Sequence, residues 1–421
     1  MKKHMFFAIA LGVGVIGCGD DGGSGTADAL VVSADAMTGS ADAALVDAAT
    51  IDAATADAAT IDAGVVDAMP SADAATIDAA PTPDGMVPDA AVPDAAVPDA
   101  TIPDAMTPDA MVSTGCVLDS PLSLTNSTTI GVADPGTTTT TITVSGAGSE
   151  LYSVRVSTML QHVAPSDLTL TLISPAGTRV LMSGRNGGSF SNVFNGTAWS
   201  DTGSERATNF NAYAEGVPSP SLIPESAFTV FRGENPNGTW TLELTDAEAG
   251  FAGTLNNWGL EVTTVNGTPV KSTTTHSSTN VVGISMATSP AVDSIVVSGF
   301  SGTICDVDVT TNVTHTWSSD LTLTLQSPSG TNIVLTARNG DEWDDVFNGT
   351  LFNDAVNAPA TTATYVDGVT TTPLTPEGAM GQVEGENANG TWQLSVDDAF
   401  SSDNGQLTGW SLQLSSCTCT P

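Results

Sequence analysis

The chain has 421 residues, enough for two or three ordinary domains, and its 47 acidic and 9 basic residues give a formal net charge of −38. A surface this acidic repels the phosphates of nucleic acids and anionic lipid head groups, so the composition disfavours a nucleic-acid partner. The acidity is compatible with solubility and with binding of divalent cations, but it does not select a fold.

The N-terminus predicts a bacterial lipoprotein signal peptide. Lys2 and Lys3 form a basic start, and residues 5–16 are an apolar stretch too short to span a bilayer as a mature helix. The stretch ends Val-Ile-Gly-Cys, which resembles a lipobox with Cys18 as the lipidated residue. Because Gly19 and not Asp follows, Gram-negative sorting rules imply a lipid-anchored protein of the outer membrane or cell surface. An ordinary secretory signal with a chance cysteine is the alternative.

A low-complexity stalk follows the signal peptide. Asp returns every five residues in two blocks, Asp42 to Asp67 and Asp84 to Asp109, and in the second block Pro precedes each Asp. A period of five fits neither a helix nor a strand, so no continuous apolar face forms. Regular Pro and repeated negative charge favour an extended, disordered linker. Calcium binding by the Asp residues is the alternative, although the Gly-rich nonapeptide of calcium solenoids is missing.

The rest of the chain predicts β-structure that occurs twice. Residues 168–172 and 240–244 alternate apolar and polar side chains, as half-buried antiparallel strands do. The same motifs return roughly 150 residues later, which is far above the period of a solenoid. The repeated motifs are Ser166–Leu172 with Ser319–Leu325, Arg185–Gly187 with Arg338–Gly340, Val193–Thr197 with Val346–Thr350, and Gly233–Trp240 with Gly385–Trp392.

The sequence therefore divides into four segments. We expect the signal peptide at 1–18, the Asp/Ala/Pro stalk at 19–114, a first β-domain at 115–267 (copy one) and a second at 268–421 (copy two). The predicted fold class is all-β, with two tandem domains behind a disordered linker.

Both copies resemble the P domain, also called P/Homo B, of subtilisin-like proprotein convertases. The resemblance rests on His, Asp-Leu, a Ser-Pro-x-Gly-Thr turn, an Asn-Gly-x-Trp stretch and a closing Leu-x-x-Trp-x-Leu. Copy one supplies His162, Asp167-Leu168, Ser174–Thr178, Asn237–Trp240 and Leu255–Leu260. Copy two supplies His315, Asp320-Leu321, Ser327–Thr331, Asn389–Trp392 and Leu407–Leu412. The resemblance implies a jelly-roll β-sandwich, and a module that stabilises and regulates an adjoining protease in the convertases.

No residue of the chain is expected to be catalytic. Gly283–Thr288 looks like the segment around the subtilisin nucleophile, but Ser285 would need a His base oriented by a carboxylate. No subtilisin His or Asp motif precedes it, and Ser285 aligns with the first strand region of copy two. His162 and His315 have no repeated nucleophile nearby, so we expect packed histidines bonded to the backbone.

Repeated acidic residues are the candidate metal ligands. They lie beside strand ends, where loops can bring several oxygens to one Ca²⁺, and the alternative is turn and cap hydrogen bonding. No cofactor is required by this interpretation. The candidates are Asp167, Asp201 and Asp246 in copy one and Asp320, Asp354 and Asp398 in copy two.

Four cysteines follow Cys18, namely Cys116, Cys305, Cys417 and Cys419. An exported protein meets oxidising conditions, so two disulfides are expected, and a zinc site is the alternative. A Cys417–Cys419 bridge would close a very tight ring, which favours bonding these two to Cys116 and Cys305. Such pairing would close one ring around both domains.

Tryptophans divide into two groups. Trp240, Trp258, Trp392 and Trp410 lie on apolar strand faces and are expected in the cores, whereas Trp199, Trp317 and Trp343 are less patterned and are candidates for exposure.

The leading functional prediction is a non-catalytic surface protein for recognition, adhesion or scaffolding, anchored to the membrane through its N-terminal lipid. Its ligand would be a protein or a glycan. The alternatives are an accessory module of a separate secreted serine endopeptidase and a carbohydrate-binding jelly roll, the latter resting on fold alone.

Overall fold

The structure is a computed structural model that describes residues 116–420. The predicted signal peptide, Cys18 and the stalk at 19–114 lie outside the described residues. All described residues belong to one compact unit. Among the described residues, no helix has the length and apolar character needed to cross a bilayer.

Copy one is built from short strands and 3₁₀ turns. Its strands are β1 (Val117–Leu118), β2 (Leu122–Asn126), β3 (Ile130–Val132), β4 (Gly136–Val144), β5 (Leu151–Gln161), β6 (Leu168–Ile173), β7 (Arg179–Gly184), β8 (Asn195–Trp199), β9 (Glu205–Arg206), β10 (Ser221–Ile223), β11 (Gly238–Asp246) and β12 (Gly253–Asn266). Its 3₁₀ turns are η1 (Pro165–Asp167), η2 (Phe210–Ala212) and η3 (Phe228–Phe231).

Copy two repeats this order with fewer edge strands. Its strands are β13 (Thr268–Ser278), β14 (Val282–Ile284), β15 (Ala291–Val297), β16 (Asp306–His315), β17 (Leu321–Gln326), β18 (Asn332–Ala337), β19 (Asn348–Asn353), β20 (Gly390–Asp398) and β21 (Gly405–Thr420). Its 3₁₀ turns are η4 (Met286–Thr288), η5 (Ser318–Asp320) and η6 (Met380–Val383).

Each copy places two sheets face to face. In copy one the sheet β4-β11-β6-β7 packs on a larger sheet whose main order is β1-β12-β5-β8-β10-β9, and copy two has β15-β20-β17-β18 and β13-β21-β16-β19. Most pairs are antiparallel, and β10 runs parallel to β8 and β9. The strict alternation in the sequence gives each strand one buried face, as two packed sheets require. The prediction of tandem all-β sandwiches is confirmed.

Large aromatic side chains fill both cores. Trp240, Trp258, Trp392 and Trp410 are buried, as expected, and each indole donates a hydrogen bond from Nε1, so its one polar atom is satisfied.

Of the three less patterned tryptophans, one is buried, one is partly buried and one is exposed. Trp199 is buried and bonds to Thr158, so the expectation of exposure was wrong for this residue. Its strand β8 is short, and the alternation was therefore too brief to reveal the buried face. Trp343 is partly buried against the core of copy two, and Trp317 remains exposed.

A single glycine joins the two copies. β12 ends at Asn266, β13 begins at Thr268, and Gly267 between them has φ +94°, a conformation that glycine adopts without steric cost. β13 then pairs with the last strand, β21, along its whole length.

The candidate cysteines form two disulfides in the structure, Cys116–Cys419 and Cys305–Cys417. The first spans 303 residues and closes a ring around both sandwiches, whereas the second spans 112 residues within copy two. Cys417 and Cys419 alternate on one strand and point to the same side, so both bridges lie next to the join between the copies.

Candidate functional site

The two copies meet in a polar contact surface, which we call the domain interface. On the side of copy one its centre is Glu225, a carboxylate that is only 3% exposed. This carboxylate accepts hydrogen bonds from the Gly184 amide and the Asn186 side chain of copy one. It also accepts one from the Thr361 hydroxyl of copy two. A buried polar group is thus satisfied from both domains.

Copy two contributes the equivalent arrangement. Glu377, also 3% exposed, accepts from the Ala337 amide and the Asn339 side chain of its own copy, at 2.7 and 2.6 Å. From copy one it receives the Thr208 hydroxyl and the Arg206 guanidinium. Thr208 and Thr361 occupy the same position in the repeat, as do the two glutamates. The contact is therefore reciprocal, as in a two-fold symmetric dimer.

Arg232 of copy one forms a bidentate ion pair with copy two. Its guanidinium holds the Glu384 carboxylate with two bonds of 2.8 and 3.0 Å. It also donates to the backbone carbonyls of Tyr152 and Cys305 and lies 4.7 Å from the centre of the Tyr152 ring. The Tyr152 hydroxyl donates to Glu384 at 3.1 Å. A planar guanidinium is suited to such combined stacking and bidentate bonding.

Two candidate metal ligands serve as caps of 3₁₀ turns at the domain interface. Asp201 accepts from the Phe228 amide at 2.7 Å and from the amide and hydroxyl of Thr229 at 2.8 and 2.9 Å. Asp354 accepts from the Gly381 amide at 3.1 Å. A Cβ built on Gly381 would lie 3.4 Å from the Cβ of Asp201, so the turn capped by Asp354 packs close to the Asp201 side chain.

Burial disfavours the charged form of both caps. It raises the pKa of Asp201, and it raises the pKa of Asp354 to about 8, with the negative charge of Asp201 adding to the shift. Asp354 is therefore mostly protonated at neutral pH. Two carboxyl groups at one small contact thus avoid carrying two negative charges.

A cleft of about 450 Å³ opens beside this interface. Its walls include Tyr152 and Arg232, cysteines of both disulfides, and Lys271, which forms an ion pair of 2.8 Å with Asp306. The cleft is a candidate binding surface that exists only when the copies are joined, because both copies line it.

The other candidate metal ligands lie with the repeated histidines. The Nε2 atom of His162 is 3.1 Å from the Asp246 carboxylate, and Nδ1 accepts from the Ala164 amide at 3.2 Å. Nδ1 is thus the acceptor, and Nε2–H donates to the carboxylate. In copy two His315 keeps the backbone bond, from Trp317, but its Nε2 lies 3.5 Å from Asp398.

The expected backbone bond of each histidine is present, but the carboxylate partner was missed. Both members of each pair are buried, and a Cβ on Gly253 would lie 2.4 Å from the His162 ring, so the imidazole packs directly on backbone. The available sequence signal for these pairs was that both the His and the later Asp recur at equivalent positions in the second copy.

Asp167 and Asp320 complete the candidate metal set. Burial raises the pKa of each, and the nearby carboxylates of Asp246 and Asp398 raise them further. The six candidates do not converge on one point. Within residues 116–420, no group of three or more His, Cys, Asp or Glu side chains is arranged to hold a metal ion. Calcium binding stays a prediction. Asp201 and Asp354 act as caps, and Asp246 and Asp398 accept from the backbone amide two residues further on.

Ser285 lies in a turn of its own. Its hydroxyl bonds to the Thr288 hydroxyl at 2.9 Å, and the residue directly precedes η4 without a side-chain bond to the backbone of that turn. These contacts make it part of a local turn.

Comparison with known families decides the classification. A family model for the proprotein convertase P-domain matches residues 151–262 and 304–414, just over half of the chain. The chain belongs to this family. The P domain is an accessory module associated with subtilisin-like proteases, and both matches fall on the two sandwiches.

Individual relatives are more distant. The chain is 30% identical over 172 residues to a transglutaminase-activating metalloprotease of Streptomyces mobaraensis, a match that covers 41% of this chain and 18% of that protein. A serine protease of Aeromonas sobria is 20% identical over 35% of this chain and 27% of its own, with a TM-score of 0.23. The same protease in complex with its chaperone is 22% identical over 36% and 27%, again with a TM-score of 0.23.

Replacing Asp354 by Asn should make the P domains less sensitive to alkaline pH. Between the unfolded pKa of 3.8 and the folded value of about 8, the folded protein holds one more proton than the unfolded chain. Stability of the natural protein should therefore fall as the pH rises across this window, by at most about 1.4 kcal/mol per pH unit from this group. Asp354→Asn should remove that contribution, as measured by urea unfolding at pH 5, 7 and 9.

Glu205→Gln, which changes an exposed carboxylate, is the control and should keep the natural pH dependence. An unchanged slope in Asp354→Asn would show that this carboxyl is charged in the folded protein.

Proposed function

We propose that the tandem P domains act as a rigid, non-catalytic recognition unit on the bacterial cell surface. The observation that carries this proposal is the reciprocal domain interface, in which Glu225 and Glu377 are each satisfied by both copies. Domains joined in one chain usually move relative to each other unless their contact is extensive. A fixed orientation makes one composite surface, which favours recognition of a partner over independent action of two modules.

The proposed location is the outer membrane or cell surface of a Gram-negative-type bacterium, reached through lipidation of Cys18. The support is the lipobox-like ending of the first 18 residues and the Gly at position 19. The Asp/Ala/Pro stalk would then separate the P domains from the membrane. Fully flexible, a segment of this length would span roughly 50–60 Å, and Pro and charge repulsion would lengthen it.

A second candidate is an accessory role to a separate protease, with the P domains docking on it. This is favoured by the association of the family with subtilisin-like proteases and by the protease among the sequence relatives. In this case the P domains would dock on a surface of the protease, and they would modulate the stability of the protease or the access of its substrates.

The full-length protein, purified from a strain without secreted proteases, should leave casein intact, because Ser285 has no His base in its turn. Pull-down from envelope extracts should capture a partner in both candidate roles. A protease whose casein hydrolysis changes when the P domains are added would favour the accessory role. Casein hydrolysis by the purified chain that disappears in Ser285→Ala would overturn the non-catalytic proposal.

Cys18→Ser should release the protein from the membrane fraction into the soluble fraction. The several acyl chains of a bacterial lipoprotein hold firmly, whereas the apolar stretch of residues 5–16 is too short to span a bilayer as a helix. Ser24→Ala, six residues later, is the matched control and should stay with the membranes. Membrane association of Cys18→Ser equal to that of the control would contradict lipid anchoring.

A further inference from the structure

One face of copy two carries an exposed indole and several carboxylates, and we call it the Trp317 surface. The Ser318 amide donates to the Trp343 carbonyl at 3.0 Å, and the Gly368 amide donates to the Asp344 carbonyl at 3.0 Å, so three loops meet here. Trp317 itself is 41% exposed. The surface consists of Trp317, Asp341, Glu342, Trp343, Asp344 and Asp367.

Copy one shows that the fold does not require Trp317, Asp341, Glu342 or Asp344. Asp367 differs, because it accepts from the Asp344 amide at 3.0 Å as Glu215 accepts from the Ser191 amide at 2.9 Å in copy one. The turn of copy one has the same backbone bonds, with Ser166 donating to Gly188 at 3.1 Å where Ser319 donates to Asp341 at 3.1 Å. The same turn therefore forms without the indole and with fewer acids. The equivalent residues of copy one are Ala164, Gly188, Ser189, Phe190, Ser191 and Glu215.

The difference between Asp341 in copy two and Gly188 in copy one is the most informative. It has φ +52°, and the equivalent Gly188 has φ +56°. Glycine adopts this left-handed conformation freely, whereas a side chain makes it costlier. An exposed carboxylate at this position thus carries a conformational cost that the fold of copy one avoids.

The negative charge of the Trp317 surface is not balanced locally. Among the ion pairs formed within residues 116–420, none involves Asp341, Glu342, Asp344 or Asp367. The cation nearest in sequence, Arg338, stacks on the Phe400 ring at 4.7 Å. Apolar area is added by Val366 and Val369 on the loop that contains Asp367; each is 53% exposed.

The geometry points to the Trp317 surface as a docking site for an arginine-rich segment of a partner protein. A guanidinium can stack on the exposed indole while its N–H groups bond to the flanking carboxylates. The excess of acids over bases is the charge complementarity that selects a basic partner. The assignment rests on the proposed recognition function, because it names the chemistry of the partner.

A hexaarginine peptide, titrated calorimetrically into the full-length protein at low and moderate salt, provides the test. Trp317→Ala should weaken binding about tenfold, the size of one partly desolvated cation–π contact, and Trp317→Phe should retain most of the affinity. The triple variant Asp341→Asn, Glu342→Gln, Asp367→Asn should weaken binding more than tenfold and flatten its salt dependence. Circular dichroism of each variant confirms that it is folded.

The matched control is the copy-one triple variant Glu205→Gln, Glu215→Gln, Glu248→Gln, which changes the net charge by the same amount. It should bind within about twofold of the natural protein, since surface charges far from a contact are screened. Equal loss in both triple variants would show attraction by overall charge and overturn the assignment.

Two further outcomes would also overturn it. One is unchanged affinity in Trp317→Ala. The other is binding of neutral chitohexaose, lost in Trp317→Ala, by a protein that ignores hexaarginine, which would make the indole a sugar platform. If hexaarginine fails while envelope extracts still yield a partner, the recognition function stands and only this docking assignment fails.

Discussion

The arrangement of the two domains depends on two buried glutamates, each of which accepts hydrogen bonds from both domains. Glu225 and Glu377 accept hydrogen bonds from amide groups of their own copy and from a threonine of the other. Separating the domains would remove the threonine from each, and a hydrogen bond to a charged group contributes about 1.5–3 kcal/mol. The asparagine of each Arg-Asn-Gly turn positions the glutamate, so the repeated motif acts at the interface and not at a ligand site.

The disulfides add a covalent constraint to this contact. In the chain-entropy model, closing the 303-residue ring of Cys116–Cys419 lowers the entropy of the unfolded chain by an amount equivalent to roughly 5–6 kcal/mol. The ring opposes fraying at the first and last strands, where the glutamates have no influence. Electrostatic contacts thus fix the orientation of the domains, and the ring keeps their ends together.

The copies have diverged on this shared frame, and the differences are the basis of the proposed docking site. Copy two has Cys305 where copy one has Tyr152, and it has Trp317 and extra acids where copy one has small residues. Tyr152 itself contacts Glu384, so the difference serves the contact between the copies. Among the described residues, copy two alone carries an exposed indole, that of Trp317. The proposed docking site would therefore lie on one of the two otherwise similar domains.

Much of the fold could be predicted from the sequence, because alternation marks each long strand and the repeat fixes the number of domains. The buried Trp240 and Trp392 followed from the same alternation. Glu225 and Glu377 were missed, although both follow Pro at equivalent positions, because a buried role depends on contacts between residues far apart in sequence. The aspartates were recognised as important, but capping of a turn and coordination of a metal ion favour the same residue types at strand ends.

Differential scanning calorimetry of the oxidised full-length protein measures whether the two P domains behave as one unit. A coupled pair should unfold in one endotherm whose calorimetric and van't Hoff enthalpies agree, and the single transition should split when Thr208→Val and Thr361→Val are combined. Two separate endotherms in the natural protein, unchanged by the threonine substitutions, would show that the domains unfold independently and that the interface does not couple them.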